Sequence, residues 1–185
     1  KYVYEVHRII DDNFLDGVAD RVLSFFADRY VFVTGHLREM YTRKYGLSPG
    51  ISIAAPDGVD LEIFDINTTR KKAREKLDLP QDKVLVGYCG RFRTMGEDKG
   101  LADMLKVVRH LPENYIFVAM GGKPRDVEYY GNMSKSLGVE NRAIISDHQT
   151  QEIVAIYQMA FDVLLMPFPN TTHYAYYMSP MKMFE

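Results

Sequence analysis

An apolar run, Val84-Leu85-Val86-Gly87-Tyr88-Cys89, ends in Gly90-Arg91, and eight positions beyond that arginine Lys99-Gly100 opens an amphipathic stretch. The pattern predicts a buried strand that delivers two cations and a glycine turn to a helix N-terminus. Such a junction suits a diphosphate: guanidinium and ammonium groups bond phosphate oxygens, and the backbone N–H groups at a helix start add to the same field. Each dipeptide is also common by chance, so a solvated Arg91 and an ordinary loop Lys99 form the alternative, and the surrounding elements decide between them. Histidines 36, 110, 148 and 173 show no paired metal-ligand spacing, and no metal site is expected.

The elements that position these residues alternate between strand and helix. Tyr2 to His7 reads as a strand, and Leu15, Val18, Ala19, Val22, Phe25 and Phe26 recur at helical spacing. Tyr30 to Val33 is a short buried strand, 36–45 a helix ending near Gly46, and 51–54 a strand. Pro56-Asp57-Gly58-Val59-Asp60 signals a turn or linker. Beyond it follow a charged helix over 69–77, the strand 84–89, and a helix carrying Leu101, Leu105, Val108 and Leu111 on one face. A strand at 115–120, a helix at 126–137, a strand at 143–145, a helix through Ile153 to Ala160 and a strand at 161–166 complete the series. Buried strands separated by amphipathic helices imply an α/β fold, a Rossmann-like parallel sheet with helices on both faces. Ligands of such sheets bind outside the carboxyl ends of the strands, where Arg91, Gly121, Gly122 and the segment after Met166 fall.

Composition excludes several classes. The chain of 185 residues is 46% apolar and 26% charged, the profile of a protein with a packed core. A formal net charge of −2 supplies no basic field for nucleic acid. Cys89 is the single cysteine, so a reducing compartment is expected, and no run of apolar residues reaches the length of a membrane span. A cytoplasmic location follows, with weak contact to an inner membrane surface left open. The basic cluster Arg70-Lys71-Lys72, Arg74 and Lys76 reads as a solvated helix face, because Glu75 and Asp78 interrupt its field. Tyr174, Tyr176, Tyr177 and Met178 read as packing, and Asp162 as a side chain that bonds nearby backbone. Lys1 is not a methionine and Ser179 to Glu185 looks like the opening turn of a helix, which suggests a chain cut at both ends.

The ordered set Pro56-Asp57-Gly58-Val59-Asp60, Gly90-Arg91, Lys99-Gly100, Phe161-Asp162-Val163 with Pro167, and Ser179-Pro180-Met181-Lys182-Met183-Phe184-Glu185 resembles the nucleotide-sugar-dependent retaining glycosyltransferases of family four, which have the GT-B fold. The resemblance covers nearly the whole chain. It implies that residues 1–55 end an acceptor-side Rossmann-like domain and that 56–185 form most of the donor-side domain. It implies sugar transfer from a nucleoside-diphosphate sugar with retention, without a metal or other cofactor, to a sugar, lipid-linked or protein acceptor in polysaccharide, lipopolysaccharide or glycolipid synthesis. Arg91 and Lys99 would stabilise the departing diphosphate, with Gly90, Gly121 and Gly122 admitting backbone donors. Ser179, Pro180 and Lys182 would lie at the phosphate, and Glu185 would bind the ribose hydroxyls. His7, at the end of the first strand, would reach the transferred sugar.

Two departures from the family stand out. The first carboxylate of a paired-glutamate motif falls at Tyr177, and the loop from Phe92 to Asp98 is longer than usual and carries Glu97-Asp98. The alternatives are a nucleotide-sugar epimerase of the same architecture, for which no carboxylate pair is evident, and a nucleotide-binding module without catalysis.

Overall fold

A computed structural model describes residues 1–9, 14–94 and 96–185. The chain divides into two compact units, Lys1–Gly58 with Asn170–Phe184, and Val59–Pro169 with Glu185. The sequence-based boundary at residues 55 and 56 falls three residues before this division, and residues 170–184, expected in the donor-side domain, group with the first unit.

In the first unit, β1 (Val3–Val6), β2 (Arg29–Phe32) and β3 (Ser52–Ala54) form a parallel sheet in that order, connected through α1 (Phe14–Phe26) and α2 (Gly35–Tyr45). Val6, Tyr30, Phe32, Leu37 and Tyr41 make its core. Helix α2 starts at Thr34, whose hydroxyl accepts the Leu37 N–H at 3.0 Å, and stops at Gly46 with φ of 70°. The aromatic run 173–177 forms one π-helical turn in this unit. Tyr176 stacks on His36 at 4.4 Å and Tyr177 packs against the core, so packing is the role the structure gives these rings.

The second unit holds α3 (Leu61–Phe64), α4 (Arg70–Lys76), β4 (Val84–Cys89), a hairpin of β5 (Arg93–Thr94) and β6 (Glu97–Asp98), and α5 (Leu101–Val108). After these come β7 (Tyr115–Gly122), α6 (Pro124–Ser136), β8 (Ala143–Asp147), α7 (Gln151–Ala160) and β9 (Val163–Leu164). The main sheet is parallel in the order β8-β7-β4-β9.

Alternation along its strands builds two cores. Ile116, Val118 and Met120 of β7 face one side with Leu85, Cys89 and residues of α4 and α7. Phe117 and Ala119 face the other with Tyr88, Leu101, Leu105 and Tyr130 of α5 and α6. A strand buried on both faces is apolar throughout, which is why β4 and β7 read as continuous hydrophobic runs. Each large side chain removed from water contributes about 1.5–3 kcal/mol, so this double-sided packing fixes the strand ends that carry the site.

The charged helix α4 is not simply solvated. Arg74 is 3% exposed, and its guanidinium donates to Ala160 O at 2.8 Å, Lys83 O at 3.1 Å and Asp162 Oδ2 at 2.6 Å. Asp162 also accepts the Leu85 N–H at 2.7 Å, so it ties α4 to β4, a longer-range duty than the sequence suggested. The C-terminal helix expected from Ser179 onward is, within residues 179–185, a single 3-10 turn over Met181–Met183.

Candidate functional site

Four features of the second unit meet at the carboxyl edge of its sheet. Strand β4 runs out into Gly90-Arg91, β7 ends in Gly121-Gly122, β8 ends at Asp147 before His148, and α6 begins at Pro124. They surround an open cavity of about 770 Å³, lined by Arg91, Arg93, Thr94, Gly121, Gly122, Lys123, Asp126, Asp147 and His148 among others. The volume lies in the range of small-molecule sites.

Glycine is required at the floor of this cavity. A Cβ on Gly121 would stand 2.4 Å from the Gly90 carbonyl oxygen, and its φ of +119° disfavours any side chain. The two strand ends therefore meet backbone to backbone, leaving peptide groups rather than side chains at the base. Helix α6 presents its N-terminus with Lys123 at the cap position, Pro124 in the first turn, and no side-chain cap. Three cations, Arg91, Arg93 and Lys123, and two carboxylates, Asp126 and Asp147, thus share the lining. Arg91 is exposed, and among the described residues its guanidinium has no hydrogen-bonding or ion-pair partner; its carbonyl accepts the Tyr88 hydroxyl at 2.9 Å.

The start of α5 is arranged differently from the expectation. The Asp98 carboxylate accepts the N–H groups of Gly100 and Ala102 and the Tyr130 hydroxyl. Burial, reinforced by the Asp98 bond, pushes the Tyr130 phenol up, so it remains a donor. An anion bound at this helix start would meet Asp98: like unit charges 4 Å apart repel by about 4 kcal/mol at an effective dielectric constant near 20. A helix terminus supplies at most about 2 kcal/mol in compensation. The N-terminus of α5 is therefore satisfied from within the chain. Lys99 does not line the cavity described above; its N–H donates to Phe92 O at 3.0 Å and closes the base of the hairpin. Gly100, with φ of +94°, is held against Pro167, whose carbonyl would lie 2.6 Å from an added Cβ.

The remaining expected site residues are spread over both units. Gly90, Arg91, Gly121 and Gly122 come together as the spacing suggested. Ser179 belongs to the first unit, where its hydroxyl accepts the Asp57 N–H at 2.9 Å. Pro180 and Lys182 lie beside it in sequence, within the same unit. His7 follows β1 in the first unit, exposed, with Nε2 3.1 Å from Glu5 Oε1. Glu185 counts with the second unit and accepts the Gln158 amide at 2.8 Å. Among the described residues there is no group of three or more histidine, cysteine, aspartate or glutamate side chains that could hold a metal.

Sequence reasoning missed Arg93, Lys123, Asp147 and His148. Lys123-Pro124 directly after Gly121-Gly122 is a glycine turn and a cation at a strand end, as Gly90-Arg91 is, and here the helix follows at once. Arg93 carried no such signal, because its place depends on a two-residue strand pairing with Glu97-Asp98.

No protein-family profile matches the chain. A D-inositol 3-phosphate glycosyltransferase of Xylanimonas cellulosilytica is 29% identical over 152 residues, which cover 78% of this chain and 36% of the relative. The protein of the same name from Corynebacterium diphtheriae is 27% identical over 175 residues, covering 90% of this chain and 38% of the relative. This chain therefore spans little more than a third of the relatives it matches. Among solved structures, Anabaena HepE in complex with UDP superposes with a TM-score of 0.71 at 16% identity, covering 90% of this chain and 46% of that one. The α/β architecture with parallel sheets is thereby that of GT-B proteins.

Proposed function

We propose that this chain is the end of the acceptor-side domain and most of the donor-side domain of a glycosyltransferase that moves a sugar from a nucleoside-diphosphate sugar to an acceptor. The carrying observation is the cavity at the carboxyl edge of β4 and β7, where Arg91, its guanidinium without a partner among the described residues, the glycine floor and the start of α6 converge. The names of the relatives and the UDP bound to HepE support a nucleotide-sugar donor.

In the reaction the bond between the anomeric carbon and the diphosphate oxygen breaks, and its electron pair stays on that oxygen. Cations already in position stabilise the charge as it grows, with no cost of reorganisation at that moment. In the retaining, metal-independent form proposed here, the acceptor hydroxyl bonds the anomeric carbon on the face the leaving group vacates, and its proton passes to the departing phosphate oxygen. Arg91 is the first charge donor. His7, Ser179, Lys182 and Glu185 keep the roles the resemblance implies only as proposals, and the part it gives Lys99 is taken up below. The acceptor is a sugar, lipid-linked or protein hydroxyl, and the proposed setting is the cytoplasm or its membrane surface.

Titration of this chain with UDP, GDP and ADP tests the reading. One of them is expected to bind, with Arg91→Ala weakening it at least tenfold, the scale of one charge-assisted bond. Sugar transfer detected by mass spectrometry in the protein extended to its relatives' length would complete the case. No binding of any of the three at millimolar concentration would refute it. Epimerised free nucleotide sugar without transfer, or binding without turnover, would favour the two alternatives instead.

A further inference from the structure

The diphosphate site of the proposed function has Arg91 as one cation, and the structure shows where a second could come from. Arg93 sits on the hairpin strand β5, with its guanidinium carbon 4.6 Å from the Tyr129 ring centroid and 5.7 Å from that of Tyr130. Its Nε donates to the Tyr130 hydroxyl at 3.4 Å and lies 3.8 Å from Asp126 Oδ1. These contacts hold the Nε end of the side chain and bring the guanidinium beside two aromatic rings. Its two terminal nitrogens have no hydrogen-bond partner among the described residues, and the residue lines the cavity together with Arg91. A planar fork anchored through Nε and held within cation–π distance of an aromatic ring is preorganised for two-point bonding to a phosphate. Its neighbour Thr94, also on the cavity wall, has a buried hydroxyl with no partner among the described residues.

Lys99 does not line the cavity, and it follows Asp98, whose carboxylate occupies the start of α5.

We infer, resting on the nucleotide-sugar reading above, that Arg93 is the second diphosphate-binding cation of this site and that strand β5, paired with β6, has taken over the place expected for Lys99. The hairpin is tied to the body of the unit through Asp98 and Tyr130, which fixes Arg93 relative to α6. The order of contacts is then Arg91 from the end of β4, Arg93 from the hairpin, and Thr94 beside it.

The experiment compares each nucleoside diphosphate of the UDP, GDP and ADP series with its monophosphate, by calorimetric titration of the 185-residue chain. For the base that binds, Arg93→Ala is expected to weaken the diphosphate at least tenfold while changing the monophosphate less than threefold. Lys99→Ala is expected to change both less than threefold. Arg93→Lys, which keeps the charge and loses the fork, should give a smaller loss with the same selectivity, and it serves if the alanine variant does not fold. Equal weakening of mono- and diphosphate by both Arg93 variants would overturn the inference, as would a diphosphate-selective loss in Lys99→Ala with Arg93→Ala silent. In both of those cases wild-type binding and the Arg91→Ala loss would leave the nucleotide-sugar reading standing. Absence of binding by the wild type would overturn both.

Discussion

Replacing Asp162 with alanine removes the acceptor at the centre of the α4–β4 junction. Its Oδ2 receives Arg74 Nη2 at 2.6 Å and the Leu85 N–H at 2.7 Å, and its Oδ1 lies 3.0 Å from Arg70 Nη1. Arg74 is 3% exposed, so the substitution strands a buried guanidinium without its counter-ion, a loss of about 3–5 kcal/mol. The orphaned Leu85 N–H adds a part of the usual 1–3 kcal/mol, whereas exposed Arg70 adds less than about 1 kcal/mol. Arg74 keeps its bonds to the carbonyls of Ala160 and Lys83, which limits the total to about 4 kcal/mol. With a urea slope of roughly 2 kcal/mol per molar, the midpoint should fall by about 2 M, read by far-UV circular dichroism and tyrosine fluorescence.

The same group gives a pH signature. Burial alone would raise the Asp162 carboxyl, but the Leu85 N–H, Arg74 and Arg70 outweigh it and hold the group below the usual carboxylate range. A depressed carboxylate contributes stability that is complete above the unfolded value, near 4, and is lost as pH falls through the folded value. Asp162→Asn should therefore flatten the acid limb of the stability curve. A midpoint shift below 0.5 M in Asp162→Ala, or an unchanged acid limb in Asp162→Asn, would refute this account of the junction.

Two other perturbations test the geometry of the site. Gly121→Ala places a methyl 2.4 Å from a backbone oxygen at a φ of +119°, and should lower stability by about 2–4 kcal/mol in thermal unfolding, since neither atom can swing away. Tyr130→Phe removes the hydroxyl shared by Asp98 and Arg93, and is expected to cost about 1–2 kcal/mol and to loosen the hairpin, seen as faster amide exchange at Gly100 and Ala102.

What the sequence disclosed follows from the range of the forces involved. Alternation within β4 and β7 and the periodicity of α5 are local, so strand, helix and the carboxyl-edge position of Arg91, Gly121 and Gly122 were all legible. Arg74 was not, because its partners lie at Lys83, Ala160 and Asp162, and a basic residue on a short charged helix looks solvated until the opposing carboxylate is known. The part played by Asp98 was hidden for a related reason. Lys99-Gly100 before an amphipathic helix signals an anion site only if no nearer carboxylate takes the free N–H groups, and the acid that takes them is the residue immediately before the lysine. The grouping of residues 170–184 with the first unit rests on contacts such as Ser179 with Asp57, separated by 122 positions, which no local pattern encodes.

The treatment of cations elsewhere in the second unit gives the carboxyl edge its meaning. Arg142 donates to the carbonyls of Tyr115, Val108, Leu111 and Pro112 and to Glu113, and Arg74 is equally occupied. Both are structural fasteners: their donors end on this chain's own acceptors, and little remains for a ligand. Arg91 and Arg93 both line one cavity, above a floor that admits no side chain, next to a helix start without a side-chain cap. Three cations share this lining with the carboxylates of Asp126 and Asp147, so an incoming diphosphate adds to a positive edge that its own acids only partly offset. The same unit that engages Arg142 and Arg74 on its own acceptors leaves the Arg91 guanidinium and the terminal nitrogens of Arg93 without a hydrogen-bond partner among the described residues, and that contrast ties the fold to the proposed chemistry.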